Sequence, residues 1–195
     1  METSRVTLNE QSQEEWQGDG LEYLRYEYDL TPTDLVVDIG AYRGEWAEKI
    51  FNRYGCQLIV IDPTPSIRGF PHGEVINKAA STCDGKAKFG GAYYYTSQHE
   101  DKKYTEYECF DINSLLETLP EIALVKINIE GDEYSLLNHI IDAGLHKRIR
   151  NLQVQFHQIE GEPYEEMYGA IESKLKQTHD REWFYPFCWE SWQRA

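Results

Sequence analysis

The stretch from Leu35 to Glu45, LVVDIGAYRGE, constrains the fold of this chain more than any other. Leu35-Val36-Val37 is a short apolar run rich in β-branched residues, as expected of a strand buried on both faces of a parallel sheet. Asp38 ends it, Gly40 and Gly44 bracket a tight turn, and an amphipathic helical pattern begins at once. Strand, glycine turn and helix is the geometry that sets a nucleotide-like ligand against the backbone amides of a helix start. A second apolar strand, Gln57 to Ile61, ends in Asp62. That acid follows the glycines by about twenty residues, the spacing at which a carboxylate reaches a ribose diol.

The turn is not a dinucleotide fingerprint. From Gly40 the chain reads G-A-Y-R-G, so Tyr42 occupies the place of the middle glycine through which a pyrophosphate approaches. The pattern is closer to the D-x-G-x-G-x-G turn of class I S-adenosylmethionine methyltransferases, with Asp38, Gly40 and Gly44 matching and Tyr42 departing. No Walker sequence occurs.

A chain of 195 residues has the size of one domain, with a polar N-terminal arm over residues 1–20 and the domain over 21–195. Asp and Glu outnumber Lys and Arg by 34 to 19, a formal charge of −15. Such an excess opposes phosphate-tracking surfaces, so a nucleic acid is not an expected partner. Cys56, Cys83, Cys109 and Cys188 form no C-x-x-C pair and adjoin apolar strands, which fits buried free thiols in a reducing compartment. No apolar run reaches the length of a membrane span, and the first residues lack a signal-peptide core, so the expected location is cytoplasmic, without a membrane partner.

Along the chain, residues 1–20 read as a loose arm with a short helix near Glu14 to Gln17. Trp46, Ala47, Ile50, Phe51 and Tyr54 share one helical face that Gly55 closes. Val75-Ile76 is a third strand running into Lys78-Ala79-Ala80. Gly85 to Glu108 suits a hairpin with an exposed loop, whose tyrosines, Tyr94 among them, either stack on a flat substrate face or form a plain Tyr-rich edge. Asp111 is placed to cap a helix reaching Leu119. Ile122 to Glu130 alternates apolar residues with Lys126, Asn128 and Glu130, so its polar face either meets solvent or opens into a site at the strand's end. Asn151 to His157 repeats that alternation, and Pro163 opens a last helix. The aromatic tail around Pro186 reads as an edge strand. Alternating strands and helices specify an α/β fold, a mostly parallel sheet with helices on both faces, and the likeness of the glycine turn implies that it is of the Rossmann-like class I methyltransferase type.

With both strand ends in hand, the chain resembles the FkbM family of S-adenosylmethionine-dependent methyltransferases. The resemblance rests on D-I-G-A-x-x-G-x-W (Asp38 to Trp46), K-I-x-I-E-G-x-E (Lys126 to Glu133), Q-x-Q-F-H (Gln153 to His157) and Y-P-F-x-W-E-x-W (Tyr185 to Trp192), and spans roughly residues 21 to 192. Many members have Asp where this chain has Asn128. The resemblance implies an O-methyltransferase that uses S-adenosyl-L-methionine, often on sugars or other hydroxylated small molecules, so the expected partner is a small-molecule or glycan acceptor. Asp62 with Pro63 then stands at the ribose, and Gly40, Ala41, Tyr42 and Gly44 pass under the methionine part. Asp38 holds the ammonium directly or through water, Ala79 borders the adenine by analogy with third-strand loops, and Asn128 completes the cofactor set. His157, at a strand end, is the first candidate for the base that takes the hydroxyl proton, with Glu130 and Asp132 competing. Asn128, Glu130, Gln155 and His157 also offer oxygen and nitrogen ligands for Mg²⁺ or Mn²⁺. Glu190 and Trp192 are expected to close over the acceptor, with Trp192 stacking on a sugar face. The alternative from another class is a non-catalytic module that keeps the fold and binds the cofactor or a glycan.

Overall fold

The computed structural model describes residues 6–90 and 104–195. In chain order its elements are β1 (Val6–Thr7), α1 (Glu10–Gly18), β2 (Leu35–Ile39), α2 (Glu45–Tyr54), β3 (Gln57–Ile61), β4 (Glu74–Ile76), β5 (Ala79–Ser81), β6 (Gly85–Gly90) and β7 (Tyr104–Asp111). They continue with α3 (Ile112–Leu116), β8 (Ile122–Ile127), α4 (Glu133–Asp142), β9 (Ile149–Val154), β10 (Gln158–Ile159), α5 (Tyr164–Leu175), β11 (His179–Tyr185) and β12 (Trp189–Arg194).

The β-branched runs form a seven-stranded sheet in the order β11-β12-β9-β8-β2-β3-β4. From β4 to β9 the neighbours are parallel, whereas β12 runs antiparallel to β9 and β11 antiparallel to β12. Numbered along the chain, the strands of this sheet lie in the order 3-2-1-4-5-7-6. The chain starts in the middle, builds outward to one edge, crosses back, and finishes with a hairpin whose second strand slips inside the first. That hairpin corrects the expected single edge strand. Pro186 lies in its turn, β11 is the edge, and β12 is an inner strand.

Both faces of the sheet are covered. On one, Val37, Ile39, Val125, Ile127, Leu152, Val154 and Trp192 pack with Leu136, Leu137 and Ile140 of α4 and Ile171 and Leu175 of α5. On the other, Val36, Leu58, Val60 and Leu124 meet Trp46, Ala47 and Ile50 of α2. Each such buried aliphatic side chain contributes roughly 1.5–3 kcal/mol over exposure, which is why the alternating strands hold their register. Helix α2 ends at Gly55, whose φ of 65° admits the left-handed cap.

Other expectations are adjusted. The N-terminal arm is not loose after Val6: Asn9 caps α1, and Trp16 is buried against the rings of Trp183 and Tyr185. One tryptophan outweighs the polar composition around it. Ala79 belongs to a second, three-stranded sheet, β5-β7-β6, rather than to an extension of β4. The hairpin of β6 and β7 forms as expected along its arms, while Tyr94 lies outside the described residues. Asp111 caps α3 through Asn113 N, though the helix stops at Leu116. Cys56, Cys109 and Cys188 are buried free thiols, but Cys83 is exposed. Among the described residues no helix is long and apolar enough to cross a membrane.

The tail residues expected at the acceptor are enclosed. Because β12 is flanked by β9 and β11, Trp192 is fully buried and cannot stack on a ligand, and Glu190 is 2% exposed. Glu190 accepts from Trp192 Nε1 at 2.6 Å and from the Tyr168 hydroxyl at 2.7 Å. Burial pushes its pKa from the ordinary 4.5 up to about 7, against the two hydrogen bonds and Arg181. The folded state thus binds this proton more tightly than the unfolded chain. The associated stability is complete below pH 4.5 and is lost as pH rises to about 7. Glu190→Gln removes that dependence. Its thermal midpoint relative to wild type should rise by several degrees between pH 5 and pH 8, corresponding to about 2 kcal/mol. Parallel melting curves for the two proteins across that range would contradict the assignment.

Candidate functional site

In open parallel sheets, ligands sit beyond the carboxyl ends of the strands where the winding reverses. Here that point lies at β2, between β3 on one side and β8 on the other. The residues that follow these strands are the Gly40–Gly44 turn, Asp62-Pro63 and Asn128–Gly131, the segments expected from sequence.

The glycine turn is held from two sides. Gly40 N and Ala41 N both donate to Ile61 O, at 2.9 and 3.1 Å, and Asn128 N donates to Ile39 O at 3.0 Å. Gly40 has φ 80°, and a Cβ built on it would lie 1.8 Å from the Asn128 carbonyl oxygen, so backbone meets backbone there. Gly44 has φ 81°, and its absent Cβ leaves room for the Phe70 ring. Ala41 is buried beneath the turn. Tyr42, in the middle-glycine position, takes φ 52° without being glycine; the residue is 39% exposed, with its ring near Arg43. Left-handed strain in a bulky residue concentrates where a loop is held for a purpose.

Asp62 supplies the restraint on Tyr42. Its Oδ2 accepts from Tyr42 N at 2.7 Å, while Oδ1 accepts from Thr64 N at 2.8 Å and from Thr64 Oγ1 at 2.5 Å. A carboxylate offers about four lone-pair sites, so one more donor can be accommodated. Asn77 Nδ2 donates to Asp62 O and Thr64 O, tying the turn that contains half-buried Pro63 to the end of β4. Ala79 is buried in β5 beside Cys109.

Asp38 is placed differently from expectation. It is fully buried, and Lys126 Nζ lies 3.0 Å from its Oδ1 while donating to Gly40 O at 2.8 Å. Asp38 and Lys126 are cross-strand partners in the β2–β8 register. Burial pushes the Asp38 carboxyl up and the Lys126 ammonium down, each against the attraction of the other. The polar face expected of β8 therefore resolves into two parts: Lys126 points into the core and has its counterion there, while Asn128 and Glu130 lie past the strand's end.

On the β8–β9 side, Glu133 is the hub, and sequence reasoning missed it as a site residue. Fully buried at the start of α4, it accepts from Ile129 N at 3.1 Å and Gly131 N at 2.9 Å. His157 Nδ1 lies 2.7 Å from Glu133 Oε1, and Nε2 lies 3.5 Å from Glu130 Oε2. His157 is 3% exposed, and the Tyr134 hydroxyl donates to His157 O. Burial alone would push the His157 pKa down, but Glu133 and then Glu130 outweigh it and hold it above its ordinary value. Glu130, at φ 55° and with a side chain 39% exposed, forms the accessible wall. Asp132 is exposed at the N-terminus of α4 and makes no capping hydrogen bond.

Of the residues expected as metal ligands, Glu130 and His157 face each other. Among the described residues no three His, Cys, Asp or Glu side chains group as ligands. His157 has a carboxylate at each nitrogen, which favours the protonated ring. Gln155 is buried, its backbone N donating to Ile127 O. The short ribbon of β1 and β10 closes this end, with Val6 and Ile159 facing Gly131. Thr7 and Gln158, on its other face, line a polar cleft of about 630 Å³ with Asn9, Gln11 and Tyr164.

No protein-family model and no curated protein matches the sequence. Solved structures do resemble it. A precorrin-6y C5,15-methyltransferase from Geobacter metallireducens GS-15 superposes with TM-score 0.46 at 9% identity, over 91% of this chain and 89% of that one. The N-methyltransferase NodS from Bradyrhizobium japonicum WM9 gives 0.48 at 10% identity, over 96% and 98%. The 23S rRNA methyltransferase ErmE gives 0.47 at 12% identity, over 97% and 70%. The strand order and the reversed final hairpin decide the architecture. The fold is Rossmann-like, of the class I methyltransferase type. At such identities the neighbours say nothing of what this chain acts on.

The close approach at Gly40 yields a direct test. Gly40→Ala places a methyl inside the Asn128 carbonyl and imposes a left-handed backbone on alanine, which should cost about 3 kcal/mol or more. A thermal midpoint within a degree of wild type would show that the turn is not packed this way.

Proposed function

We propose that this protein is an S-adenosylmethionine-dependent O-methyltransferase acting on a small hydroxylated acceptor, a sugar of a glycan. The observation that carries the reading is the meeting of the Gly40–Gly44 turn, Asp62 and Asn128 at the switch point of the sheet, with His157 at the end of the neighbouring strand. The four FkbM-like motifs support the same cofactor and the oxygen chemistry. Three of them fall on these loops and the fourth builds the inner hairpin strand.

Bound S-adenosylmethionine supplies an electrophilic methyl on a sulfonium. The chain's residues then divide the remaining work. The spare acceptor site of Asp62 takes a ribose hydroxyl, and Gly40 to Gly44 offer a floor with little side-chain bulk apart from Tyr42. Ala79 and Pro63 border the nucleoside side. His157 takes the acceptor proton at Nε2, because Nδ1 is held by Glu133. Glu130 faces that same nitrogen from the open side and yields its place to the acceptor hydroxyl, while Asp132 stands behind as a second carboxylate near the entrance.

The base must be neutral, and its pKa lies above the ordinary 6.5. The rate should therefore climb about tenfold per pH unit below that pKa and level off above it, with a midpoint higher than 6.5. His157→Ala should lower kcat by roughly 10²–10⁴ and leave the affinity for S-adenosylhomocysteine within about threefold. A panel of sugars and glycans with radiolabelled S-adenosylmethionine supplies the assay. Full activity of His157→Ala would remove it as base and transfer the role to Glu130 or Asp132. Cofactor binding without turnover on any hydroxylated acceptor would favour the non-catalytic module.

A further inference from the structure

The ribbon of β1 and β10 has two faces, and the proposed transfer uses only one of them. Val6 and Ile159 face Gly131, which adjoins Glu130 on the open approach to His157 Nε2. Side chains alternate along a strand, so Thr7 and Gln158 belong to the other face, that of the cleft of about 630 Å³. A cavity of that size falls in the range of small-ligand sites.

Its walls are fixed, and their chemistry is of one kind. Asn9 Oδ1 accepts from Ser12 N at 2.9 Å and Asn9 N donates to Phe187 O at 2.8 Å, which ties the start of α1 to the final hairpin. The half-buried Tyr164 ring meets Phe187 edge to face at 5.2 Å, and its hydroxyl accepts from Gln158 Nε2 at 3.3 Å. Two amides, a threonine hydroxyl and a braced aromatic ring suit a ligand with hydroxylated edges and apolar ring faces. The charged lining residues are Glu10 and Glu160, both exposed, and among the described residues no Lys, Arg or His lines the cleft. A phosphate, sulfate or carboxylate on the ligand would meet like charge there. Glu10 also fills the first turn of α1, where the helix start would otherwise favour an anion.

The cleft and the base share a short piece of backbone. Gln158 follows His157 directly, and Glu160 of the cleft follows Ile159, which faces Gly131. A ligand of several linked rings can keep one end in the cleft and present a hydroxyl at His157, whereas a single ring occupies one place or the other. We propose that the cleft is a distal acceptor subsite for the non-reacting residues of an oligosaccharide that is neutral or carries amino groups, with Glu10 and Glu160 turning anionic glycans away. This inference rests on the methyl transfer assigned above and adds to it the length and charge of the acceptor.

The test is an array of neutral, amino-bearing and acidic glycans, from single sugars to short oligosaccharides, probed with labelled full-length protein in the presence of S-adenosylhomocysteine. Neutral or amino oligosaccharides should bind about tenfold or more above the matching single sugars and above their acidic counterparts. Tyr164→Ala should weaken those oligosaccharides about tenfold and leave S-adenosylhomocysteine affinity, measured by calorimetry, within about threefold. Glu160→Lys, at an exposed position, should raise acidic glycans relative to neutral ones by about fivefold. If Tyr164→Ala does not fold, Gln158→Ala answers through the same pair of affinities. A preference for acidic glycans, no gain with length, cleft variants that change nothing, or binding of no glycan at all would each overturn the proposal. Calorimetry keeps the two readings apart, because failure of the wild-type protein to bind S-adenosylhomocysteine would instead strike the cofactor assignment on which the proposal rests.

Discussion

The buried pair of Asp38 and Lys126 is the interaction on which the rest of this architecture depends. Taking two charges out of water carries a penalty of several kcal/mol for each ion, and mutual attraction offsets it only where further hydrogen bonds complete the arrangement. The Gly40 carbonyl is that further bond. The pair links β2 to β8 at their register position and carries the link into the glycine turn, so strand pairing and loop shape are set by one cation. The other side of the turn is set by Asp62, which draws down the amide of strained Tyr42. The floor of the site is rigid because both strands that flank β2 hold it.

A second buried carboxylate organises the other half. Glu133 satisfies the amides of Ile129 and Gly131, and this fixes the turn in which Glu130 adopts a left-handed backbone. The same carboxylate orients His157. Loop shape and imidazole orientation are therefore one property, not two, and Glu130 is left as the group at the boundary with solvent. Of the three non-glycine residues with left-handed backbone among the described residues, Tyr42 and Glu130 stand on either side of the sheet's switch point and Phe187 lies in the turn of the final hairpin.

Much of this was legible before the fold. The run from Leu35 to Glu45 specified a strand, a turn and a helix, and the distance to Asp62 placed the second strand beside the first. Periodicity found α2, α4 and α5 because their apolar faces recur at helical spacing. The unread parts are those that depend on partners far away in the chain. Lys126 looked like a polar residue seeking solvent, since nothing local reveals that Asp38 lies opposite it. Trp192 and Glu190 looked like tail residues free to meet a ligand, whereas their burial follows from a hairpin that inserts its second strand between β9 and β11. Trp16 redirected a polar arm onto the body by its own contacts. Glu133 closes the K-I-x-I-E-G-x-E motif at the start of a helix, but its histidine partner becomes visible only when β9 lies beside β8.

The central claim is that the ends of β2, β3 and β8 form one cofactor site built around the Gly40 turn. A crystal structure of the protein grown with S-adenosylhomocysteine tests it most directly. The account predicts the nucleoside beside Asp62 and the thioether over Gly40 to Gly44, with the Asp38–Lys126 pair unbroken beneath. Ligand density at any other place in the fold would contradict it.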